Sequence, residues 1–162
     1  MNYIPLSVKT HYELLSSLIK IDELMKFLCE NNISSVGISD SNMFGTMEFV
    51  SLCNKYNIKP IIAVPFILEE LYMTLYAINY KGYVNLLNLV SIRNTSVLTL
   101  DILKEKKDNL ICVTKDYVNF NKYSELFDEV YASFSTDEEK MNALSSCLNF
   151  SFPNDPVFIS NS

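Results

Sequence analysis

The sequence predicts an α/β fold in which most strands are parallel. Short apolar runs typical of buried strands alternate along the chain with segments whose apolar residues recur at helical spacing. The clearest unit has the order strand, loop, helix, strand, at Ser34–Ser39, Asp40–Gly45, Thr46–Asn57 and Ile58–Phe66. Its helix has apolar residues that we expect on one face, namely Met47, Val50, Leu52 and Cys53. This order predicts a β-α-β unit with two parallel strands.

The loop Asp40–Gly45 is the first candidate for a functional site. It follows a predicted strand, and ligands of α/β folds gather at the carboxyl ends of such strands. One interpretation of Asp40 is therefore a carboxylate that binds a metal ion or acts as a general base. An Asp in this position also forms Asx turns and helix N-caps, so the residue alone leaves both interpretations open.

The remaining elements follow from the same patterns. Before the central unit, Tyr3–Val8 predicts a first strand, Lys9–Ser17 a loop, and the segment from Ile21 a helix that Asn31 and Asn32 end. After it we expect strands at Leu71–Ile78, Asn109–Thr114, Val130–Phe134 and Pro156–Ile159, and helices at Gly82–Ile92, Leu98–Lys104 and Tyr123–Phe127. A further helix begins at Thr136, which forms a capping-box pair with Glu139.

Length, composition and charge limit the classes of protein. The 162 residues, 49% of them apolar, predict one domain, or most of one, over residues 1–162. The apolar strand predicted at the end of the sequence leads us to expect a chain that is truncated or that continues into a larger polypeptide. No apolar run reaches the roughly 20 residues of a membrane span, and the N terminus lacks a signal sequence, so we expect a cytoplasmic protein. A net charge of −6 argues against direct DNA binding by this segment. The four widely spaced cysteines predict small buried side chains in a reducing compartment.

Few residues offer catalytic chemistry. His11 is the only histidine, which excludes a self-contained Ser-His-Asp triad, a Cys-His pair or a histidine-rich zinc site. The chain contains no glycine-rich nucleotide-binding motif. The acidic pair Glu69-Glu70 and the run Asp137–Glu139 are typical of solvated charge or of a helix N-terminus.

Several segments, taken together and in order, resemble one known family. They are Lys9–Leu15, Ile21–Leu24, Ile38–Gly45, Glu48-Phe49, Asn57–Ile62 and Gly82–Ser91. In this order they are similar to the PHP (polymerase and histidinol phosphatase) domain at the N terminus of bacterial DNA polymerase III alpha subunits. The resemblance implies the N-terminal portion of a PHP-type (βα) barrel.

The family's metal ligands are largely replaced here. The H-x-H motif falls on Ser7 and Lys9, the T-D pair on Ser39 and Asp40, the following ligand on Ser41, and the Glu of the third strand on Pro65. A shift of two residues aligns H-x-H with Lys9 and His11, which leaves His11 and Asp40 as remnants. Since an ammonium at Lys9 would oppose a bound cation, the resemblance implies a degenerate site with no metal cofactor.

The resemblance therefore implies a structural and interaction module of a replicative DNA polymerase, a DNA-directed nucleotidyltransferase whose catalytic residues lie elsewhere. Its partners would be other polymerase domains and, in some bacteria, the proofreading exonuclease subunit. Two alternatives remain: a zinc- or manganese-dependent phosphoesterase or 3′–5′ exonuclease of the PHP class, and a free-standing binding module. If Ser162 is the natural terminus, uncovered strand edges predict self-association.

Overall fold

The computed structural model describes residues 4–147 and 159–160, and this part of the chain alternates helices and strands. The helices are α1 (Ile21–Glu30), α2 (Thr46–Tyr56), α3 (Tyr80–Thr95), α4 (Leu100–Lys106), α5 (Phe120–Leu126) and α6 (Asp137–Cys147). The strands are β1 (Ser35–Ile38), β2 (Lys59–Leu68), β3 (Leu71–Ala77), β4 (Leu110–Thr114), β5 (Val130–Phe134) and β6 (Ile159–Ser160). The predicted α/β class is confirmed, and the elements are compatible with a fragment of a PHP-type barrel.

The chain divides into two compact units, Met1–Pro65 and Phe66–Ser162. The first unit contains the predicted β-α-β arrangement. Strands β1 and β2 are parallel, with Ser35 opposite Lys59 and Ile38 opposite Ile62. Helix α2 connects them and ends at Asn57, whose left-handed conformation stops the helix.

The segment before α1 pairs with β1 less regularly than the sequence predicts. From residue 4 onward, where the structure describes this segment, Val8 alone forms a bridge, with Ile38, although Gly37 N–H also donates to Pro5 O at 2.7 Å. Pro5 has no N–H to donate in return, so a regular ladder cannot extend through it. The close approach also requires Gly37, because a Cβ there would lie 2.2 Å from Leu6 O.

The core of the first unit is formed by one face of each helix. Helix α1 buries Ile21, Leu24, Met25 and Leu28, and α2 buries Phe49 and Cys53. Cys53 Sγ lies 3.9 Å from Met25 Sδ. The expectation that Met47 lies on the buried face is wrong, because its side chain is 72% exposed. Met47 precedes Phe49 by two residues, about 200° around a helix, so both cannot face the core.

The second unit is built around β4. Strand β3 is antiparallel to β4, whereas β5 is parallel to both of its neighbours, β4 and β6. Helix α3 begins two residues earlier than predicted because the Asn79 side chain accepts from Gly82 N–H at 3.1 Å, as an N-cap. Gly82 itself packs against backbone, since a Cβ there would lie 2.2 Å from Asn109 O.

The other predicted boundaries hold to within a few residues. Strand β5 has the predicted limits, while α4 and α5 are displaced by two and three residues at their N-termini. The capping pair of α6 is formed: Glu139 N–H donates to Thr136 Oγ1, and Ser135 N–H donates to the Glu139 carboxylate. Of the predicted strand Pro156–Ile159, only Ile159 belongs to the described residues.

Left-handed backbone is carried entirely by residues other than glycine in the described part of the chain. The positions with positive φ are Leu15, Asn32, Met43, Asn57, Glu69 and Asn109. No glycine has positive φ. The three glycines instead stand where a side chain would collide with a neighbour. Here glycine provides space rather than conformational freedom.

The predicted burial of the cysteines is confirmed for Cys53 and Cys112 but is wrong for Cys29, which is exposed near the end of α1. The side chain of Cys147 lies outside the described residues. Burial raises the pKa of the Cys53 thiol to about 12 and raises that of Cys112 further. Among the described residues, no helix combines the length and hydropathy required for crossing a bilayer.

Candidate functional site

Apart from Pro65, the residues predicted from the family's metal motif gather where the N-terminal segment and β1 end. Ser7 and Ser39 share a hydrogen bond of 2.7 Å between their Oγ atoms. Ser39 and Asp40 are buried, whereas Ser7 and Lys9 are exposed. Val8 pairs with Ile38 in parallel. The residues that follow them, Lys9 and Ser39, are therefore also neighbours.

Asp40 is held by a single residue, Thr10. Its Oδ1 accepts from the Thr10 backbone N–H at 2.7 Å, and its Oδ2 accepts from the Thr10 hydroxyl at 2.5 Å. Both residues are buried. Each carboxylate oxygen therefore already has a donor from the protein, and the side chain joins the loop after β1 to the loop that begins at Lys9.

Glu13 makes the reverse connection and was not predicted from the sequence. Its Oε2 accepts from the Ser41 backbone N–H at 2.6 Å and from the Ser41 hydroxyl at 2.9 Å. Lys9 Nζ lies 3.4 Å from its Oε1. Burial raises the pKa of Glu13, but the Ser41 hydrogen bonds and the Lys9 charge outweigh it, so the pKa lies below its usual 4.5.

Tyr12 connects the same two loops on their outer side. The Asn42 side-chain amide donates to Tyr12 O at 2.7 Å, and the Tyr12 hydroxyl donates to Glu48 at 2.7 Å. The hydrogen bond and the negative charge of Glu48 raise the Tyr12 pKa. The ring lies against Gly45, where a Cβ would be 2.4 Å from Tyr12 Cδ2. The loop Asp40–Gly45 is therefore fixed at its start, middle and end.

The other two predicted positions contribute no metal ligand that the geometry supports. His11 is exposed, and its ring contacts that of Tyr12, with the two centroids 4.3 Å apart. Asp40, the other remnant of the motif, hydrogen bonds to Thr10. Pro65 lies within β2 and is half-buried. A proline side chain has no donor atom, so it cannot replace the family's Glu as a ligand.

The donor set does not fit a divalent metal ion. Among residues 4–147 and 159–160, no three or more His, Cys, Asp and Glu side chains form a group that could hold a metal. The two carboxylates of this region, Asp40 and Glu13, accept hydrogen bonds from Thr10 and Ser41, and Lys9 adds a positive charge beside Glu13. Two carboxylates with a lysine beside one of them offer a divalent cation too few anionic ligands, and the Lys9 charge opposes its binding.

A second polar cluster lies at the carboxyl end of β4, within the second unit. The Tyr123 hydroxyl contacts Asp116, and it also accepts from Tyr72 N–H at 2.9 Å. The Thr114 hydroxyl donates to Tyr72 O at 2.7 Å. Burial raises the Tyr123 pKa to about 12. These groups satisfy one another, so the cluster fixes the start of β3 against β4 and the following helix.

The alternating fold and the residues at the motif positions point to one class of protein. The chain matches the family model described as the PHP domain over residues 5–150 and belongs to this family. Several similar curated proteins are DNA polymerase III alpha subunits, so the resemblance found in the sequence is confirmed. The chain is 37% identical to that of Ureaplasma parvum serovar 3 over 86 residues, which are 52% of this chain and 9% of the relative.

Two further relatives match a longer part of the chain. The subunit from Staphylococcus aureus strain Mu50 is 26% identical over 119 residues, and that from Mycoplasma pneumoniae is 25% identical over 114 residues. Each match covers 68% of this chain but only 11% and 13% of the respective relative. The chain thus spans about a tenth of the length of these polymerases.

Proposed function

We propose that this chain is the PHP segment of a bacterial replicative DNA polymerase and acts in DNA replication as a structural and interaction module with an inactivated metal site. The family membership and the polymerase relatives support the first part of the proposal. The observation that carries the second part is the donor set of this region: it offers two carboxylates, Asp40 and Glu13, which hydrogen bonds join to Thr10 and Ser41, and it places the Lys9 charge beside Glu13.

The substitution pattern has a physical consequence. A divalent cation needs several deprotonated donors that are free to turn toward it. Here Lys9 brings a positive charge, Pro65 brings no donor, and Ser7 and Ser41 bring hydroxyls that hydrogen bond to Ser39 and Glu13. Ser41, at one of the motif positions, instead helps to join the two loops through its hydrogen bond to Glu13.

The proposal assigns the polymerase's catalytic carboxylates, nucleotide binding and primer contacts to other parts of the polypeptide. Direct contact of this segment with DNA is not expected, because the chain carries a net charge of −6. Its partners are neighbouring polymerase domains. The proofreading exonuclease subunit, expected from the resemblance in some bacteria, stays a prediction.

The test combines metal analysis with two activity assays on the full-length natural chain. We expect primer extension with deoxynucleotides. We also expect zinc and manganese at background levels after purification without chelators, and no hydrolysis of bis(p-nitrophenyl) phosphate with added manganese. The matched variants are Asp40→Asn and the exposed control Asp101→Asn, with folding checked by circular dichroism.

A stoichiometric metal content together with hydrolysis that Asp40→Asn abolishes and Asp101→Asn leaves intact would instead establish a phosphoesterase or exonuclease. A natural chain that ends at residue 162 and extends no primer would favour the free-standing binding module. Either result overturns the proposal.

A further inference from the structure

The loop that follows Lys9 is compact and closed at its base. His11 N–H donates to Ile19 O at 2.8 Å, and Ser17 Oγ donates to Lys9 O at 2.6 Å. Within the loop, Ser16 N–H donates to Glu13 O at 3.2 Å. Short loops with joined ends that pack on themselves are frequently functional. We call residues His11–Ile19 the leucine loop.

The leucine loop displays large apolar side chains to solvent. Leu14, Leu15 and Leu18 have relative exposures of 83%, 108% and 92%. Leu15 also has a φ of 63°, a left-handed conformation that is unfavourable for a branched apolar residue. Three leucines exposed on a fixed loop form an apolar projection, which is typical of a surface that another protein segment covers.

A groove adjoins this projection. It has a volume of about 590 Å³ and is lined by Pro5, Val8, Leu18, Ile19, Glu23, Leu24, Phe27 and Leu28. Leu18 and Ile19 belong to both the leucine loop and the groove, so the groove begins at the end of the loop. Among the described residues that line the groove, Glu23 alone is charged.

These features restrict the chemistry of the occupant. Interfaces between permanently associated segments are more apolar than those between transient partners, which resemble ordinary protein surface. A groove with one charged residue among eight fits the permanent kind. Glu23 is exposed in the open groove, and an occupant that covers it would be favoured by a positive charge, because a charge buried without a partner is costly.

A second copy of the chain fits less well. In a twofold contact the same surface meets itself, so the Glu23 side chains of the two copies would approach each other. Opposed like charges disfavour such a contact. The relatives, by contrast, carry about nine tenths of their length outside the matching region, which provides abundant chain that stays permanently attached.

We propose that the leucine loop and its groove bind a segment of the same polymerase polypeptide outside residues 1–162, one that presents apolar side chains and a Lys or Arg to Glu23. The inference rests on the proposed function and names the surface through which the PHP segment meets the rest of the polymerase. The three leucines insert into the partner segment, and the groove receives that segment's own apolar residues.

Photo-cross-linking on the full-length chain tests the assignment. Benzoylphenylalanine replaces Leu18 in one variant and, as a control, the equally exposed Val118 in another. We expect Leu18→benzoylphenylalanine to form a cross-link within the monomer, independent of protein concentration, which peptide mass spectrometry maps to a segment beyond residue 162. Cross-links to a second copy or to a separate protein, or cross-linking no stronger than at Val118, would overturn the inference.

The charge on Glu23 provides the second measurement. In a Cys29→Ser background, maleimide labelling of Leu15→Cys in the full-length chain is slow while the surface is covered. Adding Glu23→Lys should accelerate that labelling about tenfold, because like charges loosen the contact, whereas Glu125→Lys should leave the rate unchanged. Rapid labelling that Glu23→Lys does not alter would mean that the surface is open.

The two proposals fail in distinguishable ways. A chain that extends primers but lacks the Leu18 cross-link retains the proposed function and loses only this docking surface. A natural chain that contains no polymerase segment removes the occupant, and both proposals are then wrong. The mass of the natural chain and its primer extension decide between these outcomes.

Discussion

Thr10 and Asp40 form one half of a reciprocal connection between two loops. Thr10 donates its backbone N–H and its hydroxyl to the Asp40 carboxylate, and Ser41 donates the same two groups to Glu13. Each loop thus supplies one carboxylate and one hydroxyl residue to the other. Because hydrogen bonds to charged groups are among the stronger ones in proteins, this arrangement should fix the loops without a metal ion.

Replacing Thr10 by Val should destabilise the first unit by about 1.5–3 kcal/mol, because the buried Asp40 loses its hydroxyl donor. Thr10→Ser keeps the hydroxyl and should cost less. Urea unfolding followed by circular dichroism measures both variants. Equal stability of Thr10→Val and Thr10→Ser would show that this hydrogen bond contributes little.

Acid should weaken the same region through Glu13. Its pKa in the folded protein lies below the usual 4.5, so the unfolded chain binds the proton more readily. The stabilisation from Glu13 is therefore complete above about pH 4.5 and is lost as pH falls through the lower folded pKa. Unfolding curves between pH 7 and pH 3 measure it. Glu13→Gln should flatten part of this pH dependence, whereas the exposed control Glu70→Gln should preserve it.

Replacing Gly37 by Ala should destabilise the fold by about 1–3 kcal/mol, in the range of overpacking substitutions. The new Cβ would lie 2.2 Å from Leu6 O, and a backbone atom cannot rotate away as a flexible side chain can. Ser35→Ala, on the same strand, serves as the control. A Gly37→Ala variant as stable as the natural chain would contradict the close approach between β1 and the N-terminal segment.

Metal ions should not stabilise the natural chain. A ligand at 100 times its dissociation constant adds about 2.7 kcal/mol to the folded state, so binding would raise the melting temperature visibly. We expect no change in the melting temperature of the natural chain with zinc, manganese or a chelator.

In a Ser7→His/Lys9→His variant, two imidazoles would lie on one side of an extended segment, and zinc should then raise the melting temperature. An increase in the natural chain that Asp40→Asn removes would contradict the proposed loss of the metal site.

Thiol reactivity should separate Cys29 from Cys53 and Cys112. Cys29 is exposed, whereas Cys53 and Cys112 are buried with raised pKa values, and the thiolate is the reactive form. At pH 8 iodoacetamide should modify Cys29 in the folded protein and leave the other two unmodified until urea is added. Peptide mass spectrometry quantifies each site, and rapid modification of Cys53 would contradict the packing of α1 against α2.

The order of elements could be predicted because burial leaves a local trace in the sequence. The alternation of apolar residues identified β5 to the residue, and the spacing of Thr136 and Glu139 identified the start of α6. Boundaries such as that of α3 depend on a side-chain cap, which extends the helix beyond its apolar stripe. Periodicity does not contain that information.

The candidate site could be predicted only in part. The positions of Ser7 and Asp40 followed from the motif, but the role of Glu13 depends on a contact with a residue 28 positions away. Nothing in the sequence near Glu13 distinguishes it from other surface glutamates. Likewise, the face of α2 was misjudged at Met47 because several apolar residues compete for one face, and only packing against α1 selects among them.

Some residues other than glycine have positive φ, and replacing them by glycine should raise the melting temperature of this chain. A substitution such as Glu69→Gly, at the tip of the turn between β2 and β3, would relieve an unfavourable conformation without disturbing the interior. Such a variant would be more stable, with a higher melting temperature, and would suit crystallisation or long incubation. Directed evolution toward heat tolerance should therefore recover glycines at such exposed turns before it alters the core.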